Sequence, residues 1–229
     1  MNVVMLLRKI SGRIPWARKI LASISFLIGR NAGFICCRRN VQVINRGFCR
    51  KCRITAGGNN SQLIVGESAY LENCIFHIEG SNCRVSVGAN STLIGVEFWI
   101  EDDFGEIKVG KSVKSFGDIQ LASIEGKAII IGDDGLLAKG IRIRVGDSHS
   151  ILSLSNYSRL NHSESITIGD HVWIGEKATI LKGVTVEKDA VIGAGSIVTH
   201  NVPRNSIAVG VPAKIINKGS ITWDIQRIN

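Results

Sequence analysis

The chain reads as an all-β protein, a parallel β-helix of stacked triangular coils, on three observations: a six-residue period, a 22-residue period, and a core of Ile, Val and small side chains. Large aliphatic residues fall at Ile168, Ile174, Ile180, Val186, Ile192 and Val198, and Val172, Ala178, Val184, Ala190, Ser196 and Val202 stand four residues after each. A helix advances 100° per residue and cannot keep a six-residue step on one face. Short strands joined by corners can. The two inward positions of each hexad, such as Val172 and Ile174, are two residues apart as a strand requires, and three hexads close one coil. With 25 Gly, three Pro and 6% aromatic residues in 229, the composition suits a core built by stacking such coils.

Residues 1–42 are expected to be a basic amphipathic segment, helical in part. Residues 1–66 hold 12 Lys and Arg and no acidic residue, whereas the remainder holds 16 basic and 19 acidic residues, so the net charge of +9 originates at the front. The longest uncharged run there, Ile20 to Gly29, is ten residues, half of the roughly 20 that a membrane span needs. No small-residue cleavage site follows an apolar core as in a signal peptide. Residues 1–29 fit an amphipathic helix lying on an anionic membrane surface, or a helix packed over the open end of the coil with its basic face in water. The expected location is cytoplasmic, with peripheral contact to the inner face of the membrane.

The β-helix is expected over residues 43–216. Val65-Gly66, Val87-Gly88, Val109-Gly110 and Ile131-Gly132 are 22 residues apart, each preceded by an aliphatic residue two positions earlier. A plain coil takes 18 residues, so four extra belong to one corner, where Glu79-Gly80-Ser81-Asn82, Asp102-Asp103-Phe104-Gly105 and Glu125-Gly126-Lys127 recur as a ridge of solvated turns. From Ile131 to Ile168 the step is 37 residues. The excess is a polar loop over residues 147–165, thrown from a regular scaffold, where binding and catalysis concentrate. Residues 217–229 form a tail containing Trp223.

Six Cys include the adjacent Cys36 and Cys37 and a CxxC at Cys49 and Cys52. No second ligand pair or nearby His completes a zinc site, so these are read as reduced thiols in the core, with Cys49 on an inward position. No metal and no nucleic-acid partner is expected.

Four stretches, Gly146-Asp147-Ser148-His149, Ile168-Gly169-Asp170-His171-Val172-Trp173-Ile174-Gly175, Ile192-Gly193-Ala194-Gly195-Ser196-Ile197-Val198-Thr199 and Val209-Gly210-Val211-Pro212-Ala213-Lys214, resemble the left-handed β-helix, hexapeptide-repeat acyltransferases. The nearest resemblance is to galactoside and maltose acetyltransferases and to bacterial capsule or O-antigen O-acetyltransferases. It implies a left-handed coil, a homotrimer, and acetyl-CoA as donor. It also implies that His149 is the general base, since an imidazole can take a hydroxyl proton and return one to a leaving thiolate near neutral pH. Asp147 would orient that ring, and Trp173 would pack against the thioester arm. Gly175, Ala194 and Ser196 would line the pantetheine groove, and Lys182, Thr199, His200 and Lys214 would meet the rest of the donor. His200 stands where many relatives have a basic residue. His162 and His171 are weaker candidates for acceptor contact, and His77 reads as structural.

The function implied is O-acetylation of a bacterial surface polysaccharide or its precursor, a carbohydrate acceptor that is anionic or lipid-linked. N-acylation of an amino-sugar nucleotide is the alternative. A zinc enzyme of the carbonic-anhydrase kind is a weaker one, in which His149 and His171, 22 residues apart, would approach each other.

Overall fold

The computed structural model describes residues 40–228 and the backbone of the strand Phe34–Cys36. The segment expected over residues 1–29 lies outside the described residues. The chain winds in rotation through three sheets. Face one has eight strands, from Phe34–Cys36 to Ile197–Val198, and face two has seven, from Val41–Asn45 to Thr185–Val186. Face three has nine, from Phe48–Arg50 to Ile207–Gly210, closed by Ala213–Asn217. That last strand runs antiparallel to Ile207–Gly210, whereas successive coils pair in parallel. The coil begins ahead of residue 43: Val41–Asn45 already pairs with Ser61–Val65, and Phe34–Cys36 with Cys52–Ile54. The described residues contain no helix.

The two periods build the core as expected. All twelve hexad positions from Ile168 to Val202 are buried, and Leu63, Val85, Ile107 and Ile129 stack as another column. Phe76 and Phe98 lie above one another in adjacent coils, with centroids 4.7 Å apart. Cys49, Cys52, Cys74 and Cys83 are free, buried thiols. Contact with Cys52, followed by burial, pushes the Cys49 and Cys74 thiols up.

The corners are built from small polar chemistry. Many carry a residue with positive φ, which favours the Asn and Asp found at Asn60, Asn82, Asn90, Asp134 and Asp189. Buried serines complete the backbone hydrogen bonds: Ser61 Oγ donates to Gly80 O at 3.1 Å and accepts from Cys83 N at 3.1 Å. Ser91 does the same between Gly110 O and Val113 N. The acidic ridge is more than solvated turns. Asp103 accepts the amide of Ser81, and Asp102 that of Glu125, both at 2.7 Å, so its carboxylates tie one coil to the next.

Close stacking leaves no room for a side chain at some corners. A Cβ on Gly110 would lie 2.4 Å from the carbonyl carbon and oxygen of Gly132 in the next coil. Gly110→Ala should therefore destabilise the fold by about 1–3 kcal/mol, as overpacking does. Urea unfolding followed by circular dichroism measures it, and unchanged stability would contradict rigid stacking at that corner.

Candidate active site at one corner of the coil

The 147–165 loop leaves the corner between faces one and two, connecting Arg142–Arg144 with Ile166–Ile168. It is a short, ordered excursion. Leu152 bridges Arg159 in antiparallel fashion, and Leu160 N donates to Ile151 O at 2.8 Å. Asn161, only 8% exposed, staples its two arms. Its amide donates to His149 O at 2.8 Å and to Asp147 Oδ2 at 2.9 Å, and its oxygen accepts from Ile151 N at 2.7 Å. The loop rests on the ridge: Arg159 pairs with Glu125 at 2.5 Å, and the other Glu125 oxygen accepts Ser163 N.

His149 is held at its backbone and free at its ring. Its N–H donates to Asp147 O at 2.8 Å and its carbonyl takes the Asn161 amide, while its exposed imidazole makes no hydrogen bond among the described residues. Asp147 does not orient that ring. Its carboxylate is bound by Lys182 Nζ at 2.5 Å and by Asn161. Those two donors, Lys182 first, hold the Asp147 carboxyl below its ordinary value. Lys182 is thereby a clamp on the root of the loop in this protomer.

The remaining residues expected at the site divide among three places. Thr199 and His200 are exposed on the same corner as His149, with Thr199 Oγ1 2.8 Å from His200 Nδ1. Gly175 and Ala194 occupy the corner between faces three and one. Ala194 is exposed there, and beside it a Cβ on Gly195 would meet nothing within 4 Å, an open and uncluttered surface. Gly175 instead packs into the stack, where a Cβ would lie 2.6 Å from Ala194 N. Ser196 is fully buried, and its hydroxyl accepts Gly210 N at 3.1 Å, so its side chain lines no surface groove. Trp173, 40% exposed, and Lys214 lie on face three.

The other histidines are dispersed. His162 is exposed on the returning arm of the loop. His77 lies on face one, 3.5 Å from Glu97 and tilted against Trp99. His171 stands at the corner between faces two and three, so it does not approach His149. Its Nδ1 is 2.7 Å from Asp189, and its ring stacks on Trp223 at 4.2 Å. Among the described residues no three His, Cys, Asp or Glu side chains form a metal-binding group. The sequence reading missed Asn161, Glu125 and Trp223. Only the recurrence of the ridge in register pointed towards one of them.

The loop's attachment should be acid-sensitive. Arg159 lowers the Glu125 carboxyl as Lys182 lowers that of Asp147. A depressed folded value means that docking is fully present at neutral pH and is lost as pH falls through values below the ordinary carboxylate range. Hydrogen exchange should show residues 150–162 losing protection there before the coils do. Asn161→Ala should produce the same selective loss at pH 7, and uniform loss across loop and coils would refute the docking role.

The family described as bacterial transferase hexapeptide (six repeats) matches residues 165–200. The polysialic acid O-acetyltransferase of Neisseria meningitidis is 33% identical over 143 residues, 62% of this chain and 66% of that protein. The galactoside O-acetyltransferase of Escherichia coli K12 is 30% identical over 154 residues, 67% of this chain and 63% of that protein. The alignments therefore span just under two thirds of these curated relatives. The crystal structure of the polySia-specific acetyltransferase NeuO superposes with a TM-score of 0.75 at 27% identity, covering 84% of both chains. The chain thus carries the bacterial transferase hexapeptide repeat over residues 165–200 and shares with NeuO the left-handed β-helix.

Proposed function

We propose that the protein is an acetyl-CoA-dependent O-acetyltransferase that modifies a hydroxyl of a bacterial surface polysaccharide or its precursor, with His149 as general base. The observation that carries this reading is the imidazole itself, backbone-fixed by Asn161 and Asp147 yet unpaired at the root of an ordered loop. The relatives named as O-acetyltransferases of polysialic acid and of galactosides support O-acetyl transfer and a carbohydrate acceptor.

Acetyl-CoA supplies the acetyl thioester. The ring of His149 takes the proton from the acceptor hydroxyl as its oxygen attacks the acetyl carbonyl carbon. The same ring returns that proton to the sulfur as the C–S bond breaks, so one residue serves both half-steps. Asp147 and Lys182 act indirectly by fixing the root of the loop. The open corner at Ala194 and Gly195 suits a narrow pantetheine chain, and Thr199, His200 and Lys214 provide polar and cationic contacts.

The site is shared between copies of a trimer. Within one protomer His149 stands on the corner between faces one and two, whereas Ala194 stands on the corner between faces three and one, with face one between them. A neighbour related by rotation can bring its Ala194 corner to this His149. The loop also has an apolar exterior, with Leu154 95% and Tyr157 77% exposed, the kind of surface that a second copy covers.

His149→Ala should lower the transfer rate by about 10²- to 10⁴-fold, the usual contribution of a positioned proton-transfer group. Binding of acetyl-CoA and thermal stability should be nearly unchanged. Thiol release with a panel of oligosaccharides tests this, and near-wild-type turnover would remove His149 from the chemistry. His149→Ala and Ala194→Trp chains, each inactive alone, should regain activity when refolded together, because one of the mixed interfaces carries both native residues. No recovery in mixed trimers would refute sharing of the site.

A further inference from the structure

A groove of about 300 Å³ lies where face three meets the C-terminal tail, near the lower end of the range for small-molecule sites. It is not part of the His149 corner. The tail forms its upper wall: Trp223 folds back so that its indole N–H donates to His171 O at 2.8 Å and its ring stacks on the His171 imidazole within 5° of parallel. Asp189 holds that imidazole at its edge, with Oδ1 2.7 Å from Nδ1. His171, itself held by Asp189, thus fixes the indole of Trp223 in a defined pose at the groove.

The remaining wall mixes apolar residues with two exposed charged side chains that have no protein partner. Lys114 projects from face three, exposed, and its ammonium makes no ion pair or hydrogen bond among the described residues. The Asp134 carboxylate is likewise exposed and unpartnered, and Leu136 supplies an apolar floor between them. A fixed indole, a free cationic donor and a free carboxylate acceptor around one sugar-sized volume match the surface of a pyranose. Its C–H face packs on an aromatic ring, and its hydroxyls need both donors and acceptors. Trp173 stands beside this groove on face three, its ring centroid 6.1 Å from that of Trp223.

We propose that this groove is a glycan subsite that holds a pyranose ring of the acceptor beyond the sugar being acetylated, with Trp223 as its platform and Lys114 and Asp134 as its polar contacts. It rests on the reading that the acceptor is a polysaccharide. In the shared arrangement proposed above, the Ala194 corner that meets the neighbour's His149 borders face three, so a chain of several sugars would cross face three from the neighbour's His149 to Trp223.

Calorimetric titration of the full chain with a sialic acid hexamer and with maltohexaose tests the subsite without requiring turnover. The wild type should bind at least one hexamer, and Trp223→Ala should weaken that binding by about tenfold, the scale of a lost aromatic contact. Lys114→Met, at an exposed position that does not threaten the fold, should weaken the acidic hexamer and spare the neutral one. Trp223→Phe should recover part of the loss, which separates a platform from a mere anchor for the tail. In turnover with a hexamer as acceptor, Trp223→Ala should raise KM and leave kcat unchanged, and the corresponding monosaccharide should not sense the change. Transfer to the hexamer with a wild-type KM in both Trp223→Ala and Lys114→Met would overturn the subsite while leaving acetyl transfer standing. No hexamer binding by the wild type would also overturn it. Absence of thiol release with every acceptor, together with hexamer binding that is lost in Trp223→Ala, would instead overturn the transferase reading and support the subsite.

Discussion

The backbone ladder between successive coils is the constraint on which everything else depends. Gly66 N donates to Val87 O, Gly88 N to Val109 O, Gly110 N to Ile131 O and Gly132 N to Ile168 O, each at 2.8 Å. The last of these spans 37 residues and the others 22, yet the bond is the same. Each coil buries its aliphatic residues only against its neighbours, so a slip of one residue would turn an inward set outward. Added residues must therefore leave at a corner and return to the same rung. Between the coils at Val96 and Ile119 the step on face one is 23, because Gly117-Asp118 stands where the coil below has Gly95. The following corner is shorter by one, and the ladder on face two is restored.

Rigidity of this kind separates the candidate site residues as firmly as it holds them. A triangular coil carries side chains outward on three faces and three corners, and none of its surfaces is deeply concave. His149, Ala194 and Trp173 cannot converge within one protomer, because the ladder assigns them to different corners and faces. What the coil does supply is a fixed base for the loop. Glu125 uses one carboxylate oxygen for Arg159 and the other for Ser163 N, while its own amide is held by Asp102 in the coil below. The ridge thus conveys the position of the scaffold to the root of the loop, and Asn161 carries it on to the backbone of His149.

The fold was legible in the sequence because inward positions tolerate only a few side chains and recur at a fixed step. Cys49 shows how far this reaches: extending the register to the first coil placed it inside, and it is buried. Ser196 shows a conflict between two signals. The repeat makes it an inward residue and the motif makes it a groove residue, and burial prevails because its hydroxyl has a coil amide to satisfy. Asp147 failed as an orienting group for a different reason. Proximity in sequence says nothing about a partner 35 residues away, and the ammonium of Lys182 is the stronger attraction for a carboxylate. Trp223 lies outside the repeat, 52 residues from His171, and so no pattern announced their contact.

Selectivity in such a protein has to come from the parts that break the period. The coils repeat the same rungs, and their outward faces change only by single side chains. The loop and the tail are the two described segments that depart from the repeat, and they stand at different places, the loop on the corner between faces one and two, the tail against the corner between faces two and three. One sugar residue cannot touch both within a single protomer. A substrate that engages both must either bridge two copies or extend over several residues, and a polysaccharide does both. If the acceptor occupies the proposed subsite at Trp223 as well as the His149 corner, the separation of loop and tail imposed by the ladder requires it to be longer than one sugar.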